Sequence, residues 1–441
     1  MTKNPIKSSA LAQYGMLAAP VAFAGFPLYV LAPDFYAAAH GTSLTFLGLI
    51  LLAIRLFDAF QDPLIGSFSD KYRRHTPSIM ISSAIILCIS IYGLFNQVYF
   101  SPIIWFALCM SLAVTAYSIL SINLYSLGVL WTDDTNQQTR IAASREIFAL
   151  LGLVTAVTLP SLLAENVPQE NVYIWFSLAL ASITLIALFF FFKWYSNMPN
   201  KSYLKKADSF FVAIKTLSYD SKKLLFVYLI SMFASSIPAV LVIFFVRDLL
   251  GNEKYVGLFL LLYFLSGAIF MPFWKRISIS HGKYRAWFYS MILAVISFVW
   301  AFNLENGDIL QYSIICIASG MALGADLIFP PSILADHVHS AKSENNTSTH
   351  YALLTLAAKS SLALASVTAL PFLESVGFTP NAQNDESALT GLSTAYALIP
   401  CVLKCLAGFM IWKLFIHNKK GENYGKNQIN LNPYRSRHNV K

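Results

Sequence analysis

Apolar runs of about 20 residues recur along the chain, separated by short polar connections. This is the pattern of bilayer-crossing helices, not of alternating strands or one-sided soluble helices. Twelve runs are predicted, near residues 9–33, 44–66, 77–97, 102–127, 140–163, 172–194, 224–247, 256–275, 286–303, 309–332, 349–373 and 390–415. The longest internal polar segment, "YSNMPNKSYLKKADSFFVAIKTLSYDSKK", divides six from six. The expected layout is an N-terminal six-helix bundle (1–194), a linker (195–223), a second six-helix bundle (224–415) and a basic tail (416–441). The fold class is therefore an all-α polytopic membrane protein of two pseudo-symmetric bundles, with a solute path expected between them. The halves echo each other, "SFSDKYRR" following the second span and "KRISISHGKYR" the eighth. Pro20, Pro27, Pro160, Pro238, Pro330, Pro331 and Pro371 lie within spans, where a kink is tolerated if neighbours satisfy the released carbonyl.

Composition sharpens this picture. Of 441 residues, 56% are hydrophobic and 12% charged, far from a soluble domain. The net charge of +9 does not point to nucleic acid, because the lysines and arginines lie in connections between apolar runs. Lys3 and Lys7, Lys71 with Arg73 and Arg74, the 201–223 cluster, Lys275 to Arg285, and the tail all fall on one expected side. That bias predicts cytoplasmic N- and C-termini in a plasma membrane. Cys88, Cys109, Cys316, Cys401 and Cys405 lie in apolar runs and read as small buried hydrophobes, with no disulfide framework or metal site expected. The N-terminus imitates a signal peptide, but its apolar run continues too far and is read as an uncleaved first helix. No nucleophile spacing, Walker loop or dinucleotide fingerprint is present, so neither an enzyme nor an ATP-driven pump is expected and no cofactor is implied. The sequons at Asn345 and Asn346 fall in an expected cytoplasmic loop and are read as accidental.

The exception to the oily pattern is "RLFDAFQDPLIGSFSDKYRR". Positions 55, 58, 62 and 66 follow three- and four-residue spacing, placing Arg55, Asp58, Asp62 and Gly66 on one helix face. A charge near the bilayer centre costs at least about 2.5–3.5 kcal/mol, so this face should meet a cavity or a partner. One reading is an Arg55–Asp58 ion pair that stiffens the bundle, leaving Asp62 in need of a cation or a proton. The other is a coupling site, since two carboxylates one turn apart repel until H⁺, Na⁺ or a basic side chain intervenes. Lys359, in the eleventh span, would need an acid such as Asp58 or Asp62. Arg145 follows Arg140 in the fifth span, where Glu146 would neutralise one of them. Asp326 lies mid-span beside two prolines, and Lys404 has no evident mate.

The same segment, together with "YSLGVLWTDDTNQQTRIAASREIFALLG" and "LGADLIFPPSILAD", resembles the glycoside-pentoside-hexuronide:cation symporter family (melibiose permease-like) of the major facilitator superfamily. The resemblance implies a major facilitator fold of twelve transmembrane helices and alternating access driven by a cation gradient. It implies that Asp58 and Asp62 load the cation with Lys359 nearby, and Ser118 and Ser121 are expected to contribute oxygens to the same site. Arg145, Tyr125, Ser121, Tyr117, Asp326, Thr355 and Lys359 would line the solute path. Gly66, Asp70, Arg73 and Arg74 would form a cytoplasmic gate.

Two positions depart from the family's sugar-binding pattern. Ala22 and Ser121 stand where sugar-transporting members use aspartates, which removes two acceptors for buried hydroxyls. The expected function is cation-coupled symport of a sugar or related small polar solute, with H⁺ favoured over Na⁺ because a proton needs one acid and a bare sodium several oxygens. The alternative is transport of an organic anion (uronate or hydroxy acid) or an amphiphile such as a lysolipid, with Asp326 as a counterweight to Arg145 and Lys359. A third reading is a transport-dead sensor or assembly partner, which would need an output surface beyond short loops and a tail. A monomer in a bacterial inner membrane, touching lipid, solute and coupling cation, completes the expectation.

Overall fold

The computed structural model describes residues 6–417 except 27, 29–30, 33–34, 37–43, 100, 169–170, 199–209, 216 and 381. Most of the expected linker and the 418–441 tail lie outside the described residues. The described elements are helical. They are α1 Ser8–Gly15, α2 Ala18–Phe26, α3 Leu44–Lys71, α4 Thr76–Asn96, α5 Pro102–Trp131, α6 Thr135–Asn166, α7 Val172–Ser196 and α8 Phe210–Lys215. Then come α9 Tyr219–Phe244, α10 Val256–His281, α11 Lys283–Phe298, α12 Ile309–Ser340, α13 Thr347–Ser375, α14 Glu386–Ser393 and α15 Ile399–Ile411.

Among the described residues, 10 helical segments are long and apolar enough to cross a membrane. The first two expected spans, partly outside the described residues, supply α1, α2 and α3. Several helices outrun their apolar cores because polar residues can continue a helix where its end is capped. Asp134 accepts from the backbone amides of Asn136 (2.8 Å) and Gln137 (3.0 Å), so α6 begins at Thr135 and not near 140. α3 continues through Pro63 and Gly66 to Lys71, carrying Asp70 inside the helix.

Three main cores hold the bundle. One, from Leu11 to Trp194, joins α1–α7; a second, from Ile237 to Ala397, unites the opposite ends of the later helices. The third joins Val129, Ala142, Ala143 and Leu150 to Trp274, Trp287, Phe329, Tyr351 and their neighbours, stitching early helices to late ones. Large side chains such as Leu185, Ile186 and Phe189 are exposed outward, as expected of a surface solvated by lipid.

In lipid, helix association depends on close backbone approach more than on hydrophobic exclusion. A Cβ at Gly152 would lie 2.0 Å from the Ala19 carbonyl oxygen, and one at Gly324 would lie 2.5 Å from that of Gly267. The two sequence halves meet where α3 and α5 pack on α13 and where α6 packs on α10 and α12. Gly282, at φ +86°, makes the tight turn between α10 and α11 that L-residues rarely adopt.

Candidate functional site

The charged face of α3 turns inward, as its spacing predicts, and meets α13. Asp58 and Asp62 are 3% and 0% exposed. Lys359 Nζ donates to Asp58 Oδ1 at 2.7 Å, to Asp62 Oδ1 at 2.8 Å and to Ser118 Oγ at 2.8 Å. Asp62 Oδ2 is also 2.8 Å from the ammonium, but it accepts no hydrogen bond. Ser118 on α5 donates to Asp58 Oδ1 at 3.0 Å. The side chain of Arg55 lies outside the described residues, so the alternative Arg55–Asp58 pair cannot be placed beside this one.

Two residues not anticipated from the sequence support Asp58 from behind. Gln61 Nε2 donates to Asp58 Oδ1 at 3.0 Å, and Thr115 Oγ1 donates to Gln61 Oε1 at 2.9 Å. Gln61 is in the quoted motif, but only the approach of α5 reveals its role. Among the described side chains, and with every group ionised, the two carboxylates and one ammonium sum to a single negative charge.

A second polar centre sits on α6. Arg145, 4% exposed, donates through Nε (2.9 Å) and Nη2 (2.7 Å) to Glu146 Oε1. Its guanidinium lies 3.6 Å from the Tyr125 ring centroid, and Tyr125 stacks on Tyr351 at 5.4 Å. Glu146 therefore neutralises Arg145, while Arg140 bonds Gln137 at 2.8 Å. A narrow recess is lined here by Tyr125, Gly128, Gln138, Arg145, Pro331 and Tyr351. Tyr117 and Ser121 lie one turn apart on α5. The Thr355 hydroxyl turns back to the Ala352 carbonyl at 2.9 Å.

The third centre corrects two expectations. Lys404 has a mate after all: its ammonium is paired with Asp326 Oδ2 and hydrogen-bonded to Ser231 Oγ at 2.9 Å and Ser235 Oγ at 3.1 Å. Asp326 Oδ1 accepts from Trp287 Nε1 at 2.7 Å. Asp326 is thus saturated inside the second half and is not a counterweight to Arg145 or Lys359. The pairing was illegible because residues 326 and 404 belong to different helices with no shared spacing.

At one end of the bundle, the helices of the two halves are tied together. Asp70 accepts from the amides of Ser348 (3.0 Å) and Thr349 (2.9 Å) and from Thr349 Oγ1 (2.8 Å), so a carboxylate of α3 caps the N-terminus of α13. Arg73 donates to Asp70 at 2.7 Å and to the carbonyls of Glu344 (3.0 Å) and Asn345 (3.2 Å). Gly66 allows the close approach, since a Cβ there would lie 2.7 Å from Ala352 Cβ and 2.8 Å from the Ser348 carbonyl oxygen. Arg74 is exposed. A second tie, missed in the sequence, runs from Lys283 to Asp336 (2.7 Å) and from Asp336 to Thr135 (3.0 Å).

The family model described as MFS/sugar transport protein matches residues 12–418. The chain is 24% identical over 399 residues to "Uncharacterized symporter YjmB" of Bacillus subtilis, covering 83% of each. It is 23% identical over 429 residues to "Glucuronide carrier protein homolog" of Escherichia coli, covering 92% of each. Among solved structures it is similar to the E. coli fucose:proton symporter, with TM-score 0.69 and 12% identity over 92% of this chain and 98% of that one. A bacterial ferroportin homologue in an outward-facing state superposes with TM-score 0.65 and 15% identity over 92% of this chain and 99% of that one.

Proposed function

Because the chain belongs to the MFS/sugar transport protein family, and is therefore a multi-pass membrane transporter of the major facilitator fold and not an enzyme, we propose that it is a cation-coupled symporter of a sugar or related small polar solute. The observation that carries this reading is the α3–α13 centre, where, among the described side chains, two buried carboxylates share one ammonium. Among the described side chains one added positive charge neutralises the centre, which suits a single monovalent cation as the ligand.

The coupling ion is H⁺ in preference to Na⁺. Lys359 Nζ already holds the point where Asp58, Asp62 and Ser118 oxygens converge, which is where a sodium ion would seek its ligands. A proton needs only one acid. Protonation of either aspartate weakens its hold on Lys359 and frees that side chain for the solute path.

Solute recognition is assigned to Arg145, Tyr125 and their surroundings, above a cytoplasmic gate formed by Gly66, Asp70, Arg73 and the start of α13. Cation and solute together favour the occluded state, and only the empty or fully loaded carrier crosses over.

A neutral solute suits the self-neutralised Arg145–Glu146 pair. The organic-anion reading has its own support, because a solute carboxylate could take the place of Glu146 on Arg145, and one relative is described as a glucuronide carrier homolog.

The test is uptake into proteoliposomes under imposed pH or sodium gradients, with neutral sugars and uronates as competing solutes. Accumulation driven by a pH gradient and lost in Asp62→Asn supports the reading. Accumulation that persists in Asp62→Asn overturns it, and a folded protein with no flux of any solute would revive the sensor alternative.

A further inference from the structure

The Asp326–Lys404 centre takes no part in the coupling scheme above, yet it is built like an ion site. Ser231 and Ser235 lie one turn apart on α9, so their hydroxyls point the same way. Around Lys404 Nζ gather Asp326 Oδ2, Ser231 Oγ at 2.9 Å, Ser235 Oγ at 3.1 Å and the Ser231 carbonyl oxygen at 3.5 Å. A carboxylate oxygen and two hydroxyls converge on one point, with the Ser231 carbonyl oxygen farther off, and such hard oxygen donors are the kind that hold alkali cations. The centre is 5% exposed at Lys404 and 8% at Asp326.

Both charge centres use a lysine ammonium against aspartate, but their balance differs. Among the described side chains, the α3–α13 centre has two carboxylates for one ammonium. In the Asp326 centre one carboxylate faces one ammonium, and both of its oxygens are hydrogen-bonded. A role in packing alone would be served as well by apolar residues, because a buried ion pair adds little net stability over a hydrophobic replacement.

We propose that Lys404 is a tethered counter-cation: its ammonium permanently fills a monovalent-cation site built by Asp326, Ser231 and Ser235, so that this centre is always loaded and exchangeable cation binding is confined to the α3–α13 centre. Removing the ammonium, while leaving the oxygens, converts the site into one that takes a free cation. The inference rests on the coupling reading only for this contrast.

The test measures thermal unfolding of the purified full chain against Na⁺, K⁺ and pH. Asp62→Asn removes the first site and reports on the coupling reading by itself. Adding Lys404→Met to it should restore stabilisation by a monovalent cation or by acid, as a rise of a few degrees in the unfolding midpoint. Adding Asp326→Asn as well should abolish that response. A folded Lys404→Met/Asp62→Asn protein that responds to cations no more than Asp62→Asn overturns the proposal.

If Lys404→Met does not fold, Lys404→Met/Asp326→Asn decides the matter. Recovery of the uncharged double variant, with recovery of the single variant only in alkali salt or acid, supports the tethered cation. Equal failure of both under every condition means that the pair serves packing, and the proposal falls.

Discussion

Lys359 on α13 reaches across the boundary between the two sequence halves to Asp58 on α3, 301 residues away, at 2.7 Å. Its burial is only partial, with 23% of the side chain exposed, whereas Asp58 is almost wholly enclosed. The ammonium is therefore the more accessible partner of an enclosed pair of acids.

Neutralising those acids should uncouple transport. In Asp58→Asn and Asp62→Asn, the cation-dependent gain in solute affinity, of about 5–150-fold for ordinary coupling free energies, should collapse toward one. Solute binding titrated at two cation concentrations checks this, and an unchanged gain in Asp62→Asn would remove that residue from the coupling site.

Lys359→Met leaves two carboxylates facing each other in a buried site. Breaking a buried pair from one side costs about 3–5 kcal/mol, so the variant should lose stability and recover much of it when combined with Asp58→Asn. Chemical or thermal unfolding of the three proteins measures the coupling, and strictly additive effects would contradict the geometry.

Arg145→Lys keeps the charge but loses the guanidinium fork on Glu146 and its planar stacking on Tyr125. A cation–π contact of this kind contributes about 0.5–2 kcal/mol, so solute affinity should fall several-fold to roughly 30-fold. Tyr125→Phe preserves the ring face and should bind more tightly than Tyr125→Ala. Isothermal titration of the solute separates the three.

Gly66→Val inserts side-chain atoms where a Cβ alone already lies 2.7 Å from Ala352. Overpacking of this kind costs about 1–3 kcal/mol, enough to shift the ratio of closed to open forms by about 5–150-fold. Asp70→Asn should act in the same direction by weakening the cap on α13. Spin-label distances between the 72–75 and 341–346 segments should lengthen in both, and unaltered distances would show that the contact does not hold this end shut.

How much of this was legible in the chain differs by scale. The all-helical membrane architecture was plain from repeated apolar runs, because lipid forces every crossing segment to satisfy its own backbone. The inward face of α3 was legible from three- and four-residue spacing, and the need of Lys359 for an acid followed from its depth. Gln61 and Thr115 were not legible, since their roles arise from how α5 lies against α3. Asp326 and Lys404 were misread for the same reason: each was seen, but no local pattern links α12 to α15. Asp134 and Asp70 cap helix starts, at Thr135 and Thr347, that hydropathy alone set near 140 and 349.

One rod carries both the lower tie and the ion pair. Ser348, capped by Asp70, and Lys359, held by Asp58 and Asp62, lie on α13 about 16 Å apart along its axis. Their partners lie on α3, a second continuous helix. The two fastenings therefore behave like two rungs of one ladder. A tilt of one rail against the other would part the rungs unequally, so the rung farther from the pivot would open first.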